Sequence, residues 1–369
     1  MLGKGLSAIG AVALICAPPL APAANFDVNN PAEFQAALTE AASNGENDVI
    51  NVGVCSGAGC FTIDQASIYD IATPLTFTST EGLSLTIDGL NSDNRILGRD
   101  VNNANNAGIL FIDTTGASND FGAEIVVKGI TIANGNNVGD DGGALNIHVN
   151  SPRVEVSGSV FESNAADGNG GALFIRSESG AEFPIQIFDV TFEGNSAGLG
   201  GGGAHVAATG DRIVEIFNVS FFTNDAANGG GLEVEGLDPA DPVFERVSWV
   251  TIDDFDFNDN IARSGNGGGA DIAANDIDIA IGGFVRNTAN SGSGAGLYVR
   301  RNILALDIVN TGFAWNVAGI DGGGFAVESN DGPTIRFTNN TLFRNASINR
   351  GAGGLLTVGG SMGLAQVYN

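Results

Sequence analysis

IQIFDVTFEGNSAGLGGGGAHV, residues 185–206, holds two isoleucines two apart, then a phenylalanine, an asparagine and four consecutive glycines. A glycine run weakens a strand or a helix, yet this one stands between two apolar segments. The same phrase returns along the chain. Taking the apolar residue three before the asparagine as an anchor gives Ile132, Phe161, Phe192, Phe221, Phe257, Phe284, Phe313 and Leu342. Three residues later stand Asn164, Asn195, Asn224, Asn260, Asn287, Asn316 and Asn345, with Gly135 in the first copy. Seven before the anchors are Ile125, Val154, Ile185, Val214, Val250, Ile277, Leu306 and Ile335. Five before are Val127, Val156, Ile187, Ile216, Ile252, Ile279, Ile308 and Phe337. This is a period-two strand with one buried face, copied in a single register.

Forward of each anchor comes a glycine pair or its relic. The next residue is Ala144, Ala172, Ala204, Leu232, Ala270, Leu297, Phe325 or Leu355. Two further on are Asn146, Phe174, Val206, Val234, Ile272, Val299, Val327 and Thr357, which predicts a second short strand. A unit of this size cannot bury its apolar face alone, so the copies must stack. The expected fold is all-β: a parallel β-helix (solenoid), one coil per copy, with phenylalanine on phenylalanine and an asparagine ladder at a turn. The glycines fall at a corner. No helical pattern fills the unit as a leucine-rich repeat requires, and it is short for a propeller blade. One longer gap is explained by an insertion, GLDPADPVFERVSW, residues 236–249.

The ends read differently. Residues 1–23 have Lys4, an apolar run at 6–17 and Ala21-Pro22-Ala23, the pattern of a signal peptide. Residues 24–120 read as a capping helix and irregular early coils, and 121–369 as regular coils. Asn30 suits an N-cap, Pro31 the first helical position and Glu33 the capping box, while Phe34, Ala37 and Leu38 form an apolar stripe. Export would make Cys55 and Cys60, in CSGAGC, a disulfide.

With 42 acidic and 15 basic groups the chain carries −27, which argues against nucleic acid and anionic membranes as partners. No later stretch is long and apolar enough for a membrane helix.

One outward row of the second strand carries chemistry. It reads Leu145, Leu173, His205, Glu233, Asp271, Tyr298, Ala326, Leu356, with Glu235 and Arg300 two residues on. In-register stacking puts His205, Glu233 and Asp271 on successive coils as candidate catalytic groups. Tyr298, Arg300 and Glu235 are candidate ligand-binding groups. Paired carboxylates suit glycoside hydrolysis, and a base with a cation suits a lyase. The row reads as a solvent-facing ridge; a groove there, walled by the insertion, would favour an enzyme, and a flat or convex ridge would not. No cofactor is required by any motif. Calcium has hard oxygen ligands on offer at Asp140, Asp141 and Asp321.

The paired signatures GGAL (142–145 and 170–173), GGAH (202–205) and GGAD (268–271) with FESN (161), FEGN (192), FFTN (221), FNDN (257), FVRN (284) and FAWN (313) resemble the repeats of polymorphic outer membrane proteins. The resemblance spans roughly residues 120–358. It implies right-handed winding, a capped N-terminal end and display at the cell surface or secretion. Such proteins end in a β-barrel, whereas this sequence stops soon after its last repeat, at SMGLAQVYN. That favours free secretion, a non-covalent partner or a sequence that is a piece of a longer chain, and the uncapped last coil suggests an end-to-end oligomer. The leading expectation is an adhesin-like protein that binds carbohydrate or a surface protein without catalysis. The alternative is a polysaccharide lyase or glycoside hydrolase working through the acidic ridge.

Overall fold

The computed structural model describes residues 24–53, 75–78, 84–89, 95–97, 108–116, 123–150, 152–178, 183–209, 212–237, 247–300, 303–329, 332–358 and 364–368. They form an all-β, right-handed parallel β-helix with a short N-terminal helix. Every strand pair among them is parallel, and the strands fall into three sheets along the solenoid.

The first sheet holds the period-two strands. Ile185 pairs with Val214, Val214 with Val250 and Val250 with Ile277, as the spacing requires. Phe161, Phe192, Phe221, Phe257, Phe284 and Phe313 form one interior column with neighbouring centroids 4.6–5.1 Å apart and nearly parallel rings. All six are fully buried. The column ends on Leu342, which is 45% exposed.

The asparagines form the expected ladder. Asn195 donates its N–H and its Nδ2 to Asn224 Oδ1 at 3.0 and 2.9 Å, and its Nδ2 also reaches Phe161 O. The pattern repeats from Asn164 to Asn345. A bend that the pattern did not announce lies three residues before the anchor. There Asp189, Asn218, Asp254, Ile281, Asn310 and Asn339 all have φ of 50–55°. Asn and Asp tolerate that region, and Asn218 donates to Asp189 across the coil.

The glycine run is a corner. Gly201 has φ 63°, where a side chain is strained. At Gly202 a Cβ would fall 2.2 Å from Gly230 O in the next coil, so only glycine lets the coils close up.

The second sheet departs from the sequence reading in register. Leu145 and Leu173 pair with Ala204, the inward row, while Asn146 and Phe174 align with His205. At the other end Leu355, not Leu356, pairs with Ala326. The third sheet is made of two-residue strands such as Ser196–Ala197 and Asp225–Ala226.

The helix Pro31–Ala41 buries Phe34, Ala37, Leu38 and Ala41 in the core. Asn30 Oδ1 accepts Glu33 N at 2.9 Å, and Glu33 Oε2 accepts Asn29 N at 2.8 Å. Asn30→Ala is expected to lower stability by about 1 kcal/mol, read as a lower denaturant midpoint. An unmoved midpoint would show that the cap does not hold this end.

No helix among the described residues is long and apolar enough to cross a membrane. The leader at 1–23 lies outside the described residues, as do residues 238–246 of the insertion. The expected Cys55–Cys60 disulfide is corrected: no disulfide is present among the described residues, both cysteines lie outside them, and the bridge is not carried forward.

Candidate functional site

Four strands of the second sheet, Ala204–Ala208, Leu232–Gly236, Ala270–Ile272 and Leu297–Arg300, carry the site. Strand alternation turns Val206, Val234, Ile272 and Val299 into the core and leaves the intervening residues on the outer face. His205 pairs with Glu233, Glu233 with Asp271 and Asp271 with Tyr298, one per coil. The three candidate catalytic residues and the three candidate binding residues therefore come together as the spacing predicted.

Their exposure differs from expectation. The row is no solvent-facing ridge: His205, Glu233 and Asp271 are 1%, 4% and 2% exposed. The turn leading into each strand leans over the outer face. Asn169, Leu199, Gly200, Asn228 and Asn266 form one wall of a cavity of about 290 Å³. Glu233, Glu235, Asp271, Tyr298 and Arg300 form the other. The described part of the insertion is not in the lining.

Arg300 is the hub. Its Nε donates to Asp271 Oδ1 at 2.7 Å, and its Nη2 donates to Glu233 Oε1 at 2.6 Å and Glu235 Oε2 at 3.0 Å. His205 stands 3.5 Å from both Glu233 Oε2 and Glu235 Oε1. Its Nδ1 makes no hydrogen bond in this arrangement, so charge attraction holds it to Glu233. Tyr298 donates its hydroxyl to Glu328 Oε2 at 2.8 Å.

These contacts split the protonation states. Burial disfavours the charged form of every group here. For His205 burial opposes the proton, but the Glu233 and Glu235 carboxylates overcome it and hold the imidazole above its ordinary 6.5. For Glu233 burial is likewise overcome, by His205 and Arg300, and its carboxyl lies below the usual range. Asp271 goes the other way. Burial pushes it up to about 7; Arg300 opposes this and the nearby Glu233 charge adds to it. Burial and the Glu328 contact raise the Tyr298 phenol.

The calcium candidates do not assemble. Asp140 and Asp141 share one turn, and Asn169 donates its N–H to Asp141 Oδ1. Asp321 lies six coils away, about 29 Å at one interstrand spacing per coil. It is paired with Arg350 at 2.8 Å. No group of three or more His, Cys, Asp or Glu side chains among the described residues is placed to hold a metal ion.

Sequence reading missed the wall. Asp141, Asn169, Asn228, Asn266 and Asp321 each stand immediately before a corner glycine. That fixed position was the available signal. His148, which stood alone in the sequence, packs its ring against Phe111 and Phe174 at 5.2 and 5.8 Å.

No protein-family model, curated protein or solved structure matches this chain. The β-helix that the repeat motifs implied is present, while the resemblance to one named family rests on those motifs alone.

Proposed function

We propose that the protein is a β-helical glycoside hydrolase that cleaves a neutral glycan in the pocket over His205, Glu233, Asp271 and Arg300. One observation carries the reading: two carboxylates on adjacent strands face one cavity with opposite proton affinities. Such a pair is the requirement for cleaving a glycosidic bond. Asp271 holds a proton near neutrality and acts as the general acid. Glu233, ionised beside His205 and Arg300, acts as nucleophile or base. Glu235 and the wall asparagines supply hydrogen bonds to sugar hydroxyls.

The charge balance favours a neutral sugar over a uronate. A lyase needs a cation to hold the substrate carboxylate. Here Arg300 is committed to three carboxylates, and His205 faces two of them. The leader-like segment and the likeness to surface-protein repeats support action outside the cytoplasm.

The test is reducing-end release from neutral and uronic oligosaccharides between pH 5 and 8. Turnover of a neutral glycan is expected, falling as pH rises through about 7, where Asp271 loses its proton. Glu233→Gln and Asp271→Asn are each expected to lower kcat by about 100-fold or more. Turnover of uronates alone would sink the neutral-sugar assignment.

The mutual neutralisation of Arg300 and its carboxylates favours a second reading, that the pocket retains a glycan without cleaving it, as an adhesin would. Glycan binding with no turnover at any pH would decide for that reading.

A further inference from the structure

The turn that walls the pocket contains a second hydrogen-bond ladder, broken after Gly200 and after Ser293. Its row, one residue per coil, is Asp141, Asn169, Gly200, Asn228, Asn266, Ser293, Asp321 and Arg350. Asp141 Oδ1 accepts the N–H of Asn169, and Asn169 Oδ1 accepts that of Gly200 at 3.0 Å. Asn228 accepts from Asn266 at 3.3 Å, Asn266 from Ser293 at 2.7 Å, and Asp321 from Arg350 at 2.9 Å. Gly200 has no side chain to continue the series, so Asn228 N donates to Leu199 O instead.

The break at Gly200, which alone comes from a missing side chain, lies directly over the candidate catalytic groups. A Cβ on Gly200 would fall 1.6 Å from Glu233 Oε2 and 3.0 Å from His205 Nδ1. Gly200 is not among the residues with positive φ, so its backbone does not carry the left-handed strain that demands glycine. The neighbours such a side chain would meet are side-chain ends rather than backbone. Neither conformation nor coil packing therefore explains a glycine here. The space it leaves is occupied by the Glu233 carboxylate.

We infer that Gly200 is a positioning residue for the pocket: the rung missing from the turn ladder is the space that seats Glu233 against His205. The inference rests on reading this pocket as the functional site, and it names a wall residue that has no side chain to offer a substrate. A side chain at position 200 pushes the carboxylate off His205 and fills the pocket wall, while Asn at that position continues the ladder there.

The protein has two histidines, so imidazole NMR titration follows His205 with His148 as internal reference. Gly200→Asn is expected to lower the proton affinity of His205 by about tenfold, because burial remains while one of its two facing carboxylates leaves. His148 is expected to keep its midpoint. Gly200→Ala adds only the offending Cβ and is expected to shift His205 in the same direction without the ladder. In a Glu233→Gln background Gly200→Asn is expected to shift His205 no further.

An unmoved His205 midpoint in folded Gly200→Ala and Gly200→Asn would overturn the inference. So would a shift fully additive with Glu233→Gln. These readouts need no substrate: if the wild-type protein turns over no glycan, the hydrolase reading fails and the role of Gly200 is still decided. If it does turn over glycan, undiminished kcat/KM in Gly200→Asn would reject the role of Gly200 and leave the hydrolase standing.

Discussion

Arg300→Met is expected to cost about 3–5 kcal/mol at pH 8 and clearly less at pH 5. The guanidinium sits among Asp271, Glu233 and Glu235, and the first two are almost completely buried. Removing the cation strands buried carboxylates, which is far worse than never having had the pair. Protons then relieve the damage. Asp271 already binds its proton more tightly folded than unfolded, up to about 7 against an ordinary 3.8. Its contribution to stability is therefore fullest below the unfolded value and is lost as pH rises through about 7. His205, raised above 6.5 by its carboxylates, loses its contribution as pH rises from 6.5 through its folded value. Glu233, lowered, works oppositely: its contribution is present above 4.5 and is lost as pH falls through its folded value. Without Arg300 the carboxylates hold protons at higher pH, and mild acid restores part of the lost stability. Denaturant midpoints of both proteins at pH 5 and pH 8 measure this. A loss of equal size at both would mean that Arg300 contributes the packing of its stem rather than its charge.

How much of this was legible in the sequence depends on what fixes each position. The first sheet was legible to the residue, because buried β-branched residues, phenylalanine and asparagine recur at fixed offsets and a slip by one would turn each to the wrong face. The second sheet was legible only in part. Its strand was counted from the last glycine, but Ala144 stands in register with Gly203, since a small residue of either kind fits that corner. Leu145 and Leu173 were thus assigned to the outer row when they are core. The co-facing of His205, Glu233, Asp271, Tyr298, Glu235 and Arg300 was still recovered, because that stretch counts correctly from Ala204 to Arg300. The burial of these groups was not legible. It comes from turn backbone at Leu199–Gly200 and from Asn228 and Asn266, whose composition alone reads as an exposed loop. The bend at Asp189, Asn218 and Ile281 was likewise hidden, since Ile281 at φ 50° breaks the residue preference that marks such a corner.

Asn260→Asp should be the most damaging near-isosteric change in the solenoid, about 4 kcal/mol at pH 8. Asn260 Oδ1 accepts from Asn224 N and Nδ2, each at 3.0 Å. Its Nδ2 donates to Phe221 O at 2.9 Å and Asn287 Oδ1 at 3.0 Å. Aspartate keeps the acceptor but sets a second oxygen against two others, in a site with no exposure. The charged form has lost both donor contacts and lies in low dielectric, so the proton affinity of the new carboxyl rises well above its ordinary 3.9. Protonation returns a single donor, which Phe221 O or Asn287 Oδ1 accepts. The penalty therefore grows as pH climbs through that raised value and shrinks in acid. Asn260→Ala leaves Phe221 O and Asn224 N–H without their partners at every pH, about 3 kcal/mol with no such slope. Backbone pairing joins each coil only to its neighbours, and only a few long side chains such as Arg300 reach a coil further, so a lesion in the middle of the array weakens the coupling between its two halves. Melting curves of Asn260→Asp at pH 8 are expected to show two transitions where the wild type shows one. A single sharp transition, with equal losses for the two variants at pH 5 and pH 8, would mean that the ladder follows the packing of the phenylalanine column rather than joining the coils itself.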